Sequence, residues 1–172
     1  PDRGEWFLRK NPVIDIDVHG EGERTFFEIL KIFTSRKINQ IPGTSKITES
    51  GAFYSNPKAD RNKDLSAFPS PYLSGVFDNL ISMSDEEWLV LWETNRGCPF
   101  QCTFCDWGSA VADRVFRFDM ERINKELDWF SKNKIEFIFN CDANFGILSR
   151  DVDIAQRAAK RKSTRLNSSH TS

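Results

Sequence analysis

The sequence predicts an α/β protein made of two successive strand–turn–helix units, and three observations carry that reading. Short runs of strand composition recur along the chain: VIDIDV (Val13 to Val18), EEWLVLWE (Glu86 to Glu93) and IEFIFN (Ile135 to Asn140). Segments with apolar residues at helical spacing follow the first and precede the last, in RTFFEILKIF and FDMERINKELDWFSKNK. Glycine-bearing or polar turns separate the two kinds of element, as expected where strands feed helices.

Taken in order, VIDIDV alternates apolar and acidic residues and reads as a strand, and HGEGE (His19 to Glu23) is its turn. The helix after it places Phe26, Ile29, Leu30 and Phe33 on one face. INQIPGTSKITESGAFYSN (Ile38 to Asn56) holds short β-prone pieces around Gly43 and Gly51, which suggests a small hairpin. PKADRNKD is polar and opens a proline-punctuated stretch with linker composition, and FPSPYLSGVFDNL reads as an irregular segment running into a short helix. EEWLVLWE is a strand of buried character. The next helix is expected to be capped by Asp119, with Met120, Ile123, Leu127 and Phe130 on its apolar face. IEFIFN then ends in CDANFG, and LSRDVDIAQRAAK starts another helix with Ser149 as its expected cap. Strand, loop, helix and strand in this order imply a parallel pair joined by a right-handed crossover.

Bulk properties exclude several classes. At 172 residues the chain has the length of about one ordinary domain, and its net charge of -1 offers no electrostatic footprint for nucleic acid. Aromatics make up 13%, including fifteen Phe and five Trp, ample for buried cores. No apolar run approaches the ~20 residues of a membrane span, and no charged-then-apolar signal segment opens the chain. Three of the four cysteines lie in one loop, which is not the pattern of a secreted disulfide framework. A reducing cytoplasm is the expected compartment.

That loop, ETNRGCPFQCTFCDWGSA (Glu93 to Ala110), follows the predicted strand and spaces Cys98, Cys102 and Cys105 as C-x3-C-x2-C. Thiolates bind zinc or the iron of iron–sulfur clusters. Only Cys102 and Cys105 form a zinc-type half-site, and Cys141, at the end of the later strand, has no half-site around it. Three cysteines from one loop suit a [4Fe–4S] cluster whose fourth iron stays open to a substrate or cofactor. Gly97 and Pro99 would shape a tight turn, Phe104 an apolar wall beside the cluster, and Gly108 an exit without side-chain clash. A structural zinc site or an electron-transfer cluster remains the alternative from a different class. Cys141 reads as a small buried residue rather than a ligand, and Asp106 and Trp107 are equally compatible with cofactor contact and loop packing.

The stretch NRGCPFQCTFCDWG after a strand, with an aromatic residue before the last cysteine, resembles the signature of the radical S-adenosylmethionine (SAM) superfamily. The resemblance implies that Cys98, Cys102 and Cys105 ligate a [4Fe–4S] cluster and that SAM chelates the open iron. It further implies that reductive cleavage yields methionine and a 5′-deoxyadenosyl radical, which abstracts hydrogen from a substrate. The family builds this chemistry on a partial (β/α) barrel, so CDANFG, at a strand's C-terminal end, would face the cofactor. Asp142 and Asn144 are candidate contacts to SAM or substrate, with ordinary turn chemistry as the competing reading. A reductant such as a flavodoxin or ferredoxin is implied as partner, and a small molecule or peptide as substrate.

IDIDVHGEGERTFFEIL resembles the last strand–loop–helix of the cobalamin-binding, Rossmann-like domain that precedes one radical SAM branch, and DLSAFPSPYLSG resembles that branch's linker. The resemblance implies cobalamin contacts at Gly20, Glu21 and Gly22, where glycines permit close approach and the helix start offers free N–H groups. Asp17-x-His19-x-x-Gly22 also matches, formally, the motif that donates an axial histidine to cobalt. It lacks the expected Ser-x-Leu partner, so His19 reads as incidental. The implied organisation is the end of a cobalamin-binding-like domain (1–56), a linker (57–83) and the start of a radical SAM barrel (84–160). Arg161 to His170 resembles translated read-through of a sequencing adapter, so residues 161–172, with His170, are set aside as an expected non-native tail on a truncated fragment. Methylation of an unactivated carbon with cobalamin relaying the methyl group is the reaction the resemblance favours, with ring formation or a radical SAM enzyme without cobalamin as alternatives.

Overall fold

The computed structural model describes residues 3–33, 40–105 and 114–168, and the chain divides into two units, Pro1–Lys63 and Asp64–Ser172. Asp106, Trp107 and Gly108 lie outside the described residues.

In the first unit, helix α1 (Arg3–Lys10) precedes strand β1 (Asp17–Val18), helix α2 (Gly22–Ile32) and strands β2 (Thr44–Ile47) and β3 (Phe53–Ser55). The three strands form an antiparallel sheet in the order β1-β2-β3, with Val18 opposite Thr44 and Lys46 opposite Tyr54. The hairpin read around Gly43 and Gly51 is therefore β2–β3. The expected strand over 13–18 shrinks to its last two residues. Pro12 cannot donate to a ladder, Ile14 N–H is drawn back to the Asn11 carbonyl at 3.0 Å, and Val13 is 88% exposed. Nor does the face expected on α2 hold, since Ile29 and Thr25 are buried while Phe26, Leu30 and Phe33 are exposed. The core of this unit adds Leu8, from a helix that sequence analysis did not assign, and Ile41.

The second unit begins with a 3-10 turn, Leu65–Ala67, capped by Asp64, whose Oδ1 accepts from Ser66 N at 3.0 Å. Helix α3 (Asp78–Ser82) leads to β4 (Leu89–Trp92) and β5 (Asn95–Arg96), then β6 (Phe116–Arg117), α4 (Met120–Lys132), β7 (Phe137–Asn140) and α5 (Ser149–Ser168). β4 and β7 pair in parallel, Leu89 opposite Phe137 through Trp92 opposite Asn140, as the strand–helix–strand order required. Asp119 caps α4 as expected, its Oδ1 accepting from Arg122 N at 2.7 Å. The predicted stripe is real: Ile123, Leu127 and Phe130 pack with Leu65, Val90, Trp92, Phe118, Ile135 and Ile154. Each such side chain contributes about 1.5–3 kcal/mol by leaving water.

Three local expectations differ. The strand is buried on one face only: Val90 and Trp92 point into the core, while Leu89, Leu91, Phe137 and Phe139 are exposed. Asp151, rather than Ser149, satisfies the start of α5, its Oδ2 accepting from Gly146 N at 2.9 Å and Leu148 N at 3.0 Å. A carboxylate two residues further on reaches both open N–H groups, which a serine hydroxyl cannot. Finally, the backbone of α5 runs on to Ser168, past residue 160, because no glycine or proline interrupts it there.

Candidate functional site

The cysteine loop leaves the C-terminal end of β4 through a narrow neck. β5 and β6 pair antiparallel across it, Asn95 opposite Arg117 and Arg96 opposite Phe116, and Phe118 N–H extends the ladder to the Thr94 carbonyl at 3.1 Å. Gly97 stands just inside the neck at φ +110°, where a Cβ would overlap the Arg114 carbonyl oxygen. That left-handed backbone and close approach are open only to glycine.

Two charged side chains hold the neck from opposite sides. The Asp142 carboxylate, two residues past β7, accepts from Thr94 N at 2.6 Å, Asn95 N at 3.0 Å and Asn95 Nδ2 at 2.8 Å, and also from Thr94 Oγ1. Asn140 Nδ2 adds a longer bond at 3.3 Å. On the carbonyl side, Arg150 in α5 donates to Thr94 O at 2.7 Å and to Phe118 O at 2.5 Å. Thr94 and Asn95 are 0% and 1% exposed, so these bonds replace the water that their backbone groups would otherwise need. Burial pulls the Arg150 guanidinium below its ordinary value, opposed by the neighbouring Asp151 carboxylate. Sequence reasoning missed Arg150 and the β5–β6 neck, and no local motif marks either.

Within the loop, Cys98 is 8% exposed and accepts a hydrogen bond from Asn144 Nδ2 at 2.9 Å. Cys102 and Cys105 are exposed and joined by a turn, Cys105 N donating to Cys102 O at 3.1 Å. Phe104 is 91% exposed and walls off nothing among the described residues. No three His, Cys, Asp or Glu side chains among the described residues stand close enough to share a metal ion. Thiolates repel one another, and the attraction that offsets this comes from the cation they share. The donor set nevertheless suits a soft metal cluster: three free thiols come from one loop, its neck is fixed independently of them, and the buried thiol already meets an N–H donor.

Cys141 is half-buried beside the neck, and its thiol donates to the Phe139 carbonyl at 3.7 Å. Burial pushes this thiol up, which favours the protonated form that does not ligate metal. Asp142 is committed to the neck, Asn144 reaches a cysteine sulfur, and both lie on the turn that sequence analysis singled out. A buried Glu126 supports the sheet behind them, accepting from Trp92 Nε1 at 2.7 Å and Arg122 Nε at 2.9 Å.

In the first unit, Gly20 adopts φ +83°, and Glu21 turns away from the start of α2 to accept from Arg61 Nε at 3.2 Å and Asn62 N at 3.0 Å. Gly22 opens α2 with nothing within 4 Å of a Cβ position. His19 Nε2 bonds the Ser45 hydroxyl at 2.7 Å, a structural contact within the sheet.

A three-cysteine loop follows the first strand of a parallel strand–helix–strand unit, and comparison with known proteins shows what the chain is similar to. The chain is a homologue of cobalamin-dependent radical SAM methyltransferases over nearly its whole length. It is 42% identical over 167 residues to the cobalamin-dependent radical SAM methyltransferase TokK of Streptomyces tokunonensis, covering 94% of this chain and 24% of TokK. It is 43% identical over 164 residues to the 2-(S-pantetheinyl)-carbapenam-3-carboxylate methyltransferase of Streptantibioticus cattleyicolor, covering 92% of this chain and 24% of that enzyme. The chain thus spans about a quarter of the length of these relatives. Its fold resembles that of the cobalamin-dependent SAM radical enzyme OxsB, solved with aqua-cobalamin and SAM bound, at TM-score 0.66 and 22% identity over 92% of this chain and 22% of that one. The methyltransferase TsrM of Kitasatospora setae, solved with cobalamin and a [4Fe–4S] cluster, gives TM-score 0.60 at 18% identity over 91% of this chain and 32% of that one. No family model matches the chain.

Proposed function

We propose that this chain is the segment of a cobalamin-dependent radical SAM methyltransferase that joins the end of a Rossmann-like cobalamin-binding domain to the start of a partial (β/α) barrel. In this reading Cys98, Cys102 and Cys105 hold a [4Fe–4S] cluster, Phe104 shields it, and Gly20, Glu21 and Gly22 lie toward cobalamin. When bound, these groups supply one-electron cleavage of SAM and a carrier for the methyl group delivered to an unactivated carbon. The residues of the chain fix geometry. Asp142 and Arg150 clamp the neck so that Cys98 enters the loop at a set position, and the β4–β7 pair presents its strand ends on the same side. A flavodoxin- or ferredoxin-type reductant and a reducing cytoplasm belong to the same proposal, and no helix among the described residues is long and apolar enough to cross a membrane.

The observation that carries this reading is the neck, which hands three thiols out of the C-terminal end of a parallel strand while Cys141 is turned to a backbone carbonyl. The test is anaerobic reconstitution of the protein that carries this chain, with iron and zinc counted and EPR spectra recorded with and without SAM. About four irons per chain, a signal that shifts with SAM, loss on Cys98→Ala, Cys102→Ala or Cys105→Ala, and retention in Cys141→Ala are expected. One bound zinc, or a cluster that needs Cys141 and ignores SAM, would make the loop a closed metal site. Cobalamin that fails to co-purify would leave a radical SAM enzyme without the second cofactor.

A further inference from the structure

We propose that Asn144 is a positioning residue that sets the reduction potential of the cluster by donating a hydrogen bond to the Cys98 ligand sulfur. The inference rests on the cluster reading above and goes beyond it. Sequence analysis offered Asn144 as a contact to SAM or substrate, whereas its Nδ2 stands 2.9 Å from Cys98 Sγ.

The amide is carried by a turn that is pinned to the neck just before it. Cys141 N–H donates to the Trp92 carbonyl at 2.7 Å, and Asp142 N–H to Asn140 Oδ1 at 3.0 Å. The Asp142 side chain is bound to Thr94 and Asn95, which lead into Cys98. Donor and acceptor are therefore attached to the two sides of one clamp, and the N–H···S contact is preorganised. Cys98 is also the buried thiol of the three, so this contact is the least screened by water.

One-electron reduction adds negative charge to a cluster and its thiolates. An N–H dipole pointed at a ligand sulfur stabilises the reduced form more than the oxidised one and raises the potential. Removing it lowers the potential. A carboxylate in its place lowers it further, because a like charge then faces the sulfur.

The experiment is an EPR-monitored redox titration of the reconstituted protein and of Asn144→Ala, Asn144→Ser and Asn144→Asp, with iron content and SAM binding measured alongside. Potentials are expected to fall in the order wild type, Ser, Ala, Asp. The Ala variant should lose about tenfold in the equilibrium constant for reduction, which is about 59 mV for one electron. Iron content and the SAM-induced spectral shift are expected to persist in Ala. If Ala binds too little iron to titrate, the Fe–S(Cys) stretch of Asn144→Ser, read by resonance Raman, should move up in frequency as the weaker donor loosens its hold on sulfur. Potentials that do not differ, or an unmoved stretch, overturn the proposal. Loss of SAM affinity at unchanged potential also overturns it and makes Asn144 a SAM contact. A wild-type protein that takes up no iron overturns the cluster reading, and this proposal with it.

Discussion

Asp142→Ala is the sharpest test of the clamp, because the structure says what it strands. The carboxylate is the acceptor for Thr94 N, Thr94 Oγ1, Asn95 N, Asn95 Nδ2 and Asn140 Nδ2. The side-chain donors can reorient toward one another, and Asn95 Nδ2 already sits 3.3 Å from Thr94 Oγ1. The two backbone N–H groups cannot, and both belong to residues with essentially no exposure. At about 1–3 kcal/mol for each buried donor left unpaired, the substitution costs roughly 2–6 kcal/mol. Water reaching the half-buried position of the lost carboxylate brings this to about 3 kcal/mol. Against a domain stability of ~5–15 kcal/mol that is a large fraction. With a urea slope of about 2 kcal/mol/M, the midpoint moves down by about 1.5 M. Urea unfolding followed by tryptophan fluorescence measures it, since Trp92 and Trp129 lie in the same unit as the clamp. A change below about 1 kcal/mol would refute the reasoning, for it would mean that the neck stands without its anion.

Two other outcomes are expected. Gly97→Ala forces a Cβ into the Arg114 carbonyl from a left-handed backbone, so the neck must open, and reconstituted iron per chain should fall at least several-fold while α4 and the main core, read by far-UV circular dichroism, persist; wild-type iron content would show that the β5–β6 pairing does not position Cys98. Tyr72 is pushed up to about 12 by burial first and by the charges of Glu126 and Cys141 next, so folding favours its neutral phenol. Its stabilising contribution is complete below the ordinary value of 10.0 and is lost as pH rises from there through about 12. The urea midpoint of the wild-type protein should therefore fall more steeply than that of Tyr72→Phe between about pH 9 and about pH 11.5, and parallel curves would contradict the burial of the phenol.

What could be read from the sequence was what local chemistry encodes. Asp119 followed by apolar residues at helical spacing specifies α4 and its packed face, because a cap and a stripe are short-range features. The cysteine spacing and the strand before it are equally local. The antiparallel pairing of β1 with β2 was not visible, since it joins Val18 to Thr44 across a helix and depends on which strand arrives alongside. On α2 the apolar residues give the right helix but the wrong face, because Phe26, Phe27, Leu30 and Phe33 leave the buried side undetermined by pattern alone.

The turn CDANFG shows why site chemistry was harder to read than site location. Asp and Asn there could serve a ligand or a turn, and sequence offers no means to choose. The structure gives them a third role. Asp142 bonds residues 47 and 48 positions earlier, and Arg150 reaches back 56 to the same Thr94. Both fasteners of the neck are thus supplied by chain that follows β7, and the partners that make them fasteners, Thr94 and Asn95 for Asp142 and Thr94 and Phe118 for Arg150, lie far back in the sequence. The loop that carries the cysteines can acquire its bracket only when β7 lies beside β4. The sequence between the two strands therefore has to complete a helix and a parallel pairing before Cys98 has a fixed place. Geometry at the candidate metal centre is in this sense a product of the crossover unit, while the cysteine motif supplies only the ligands.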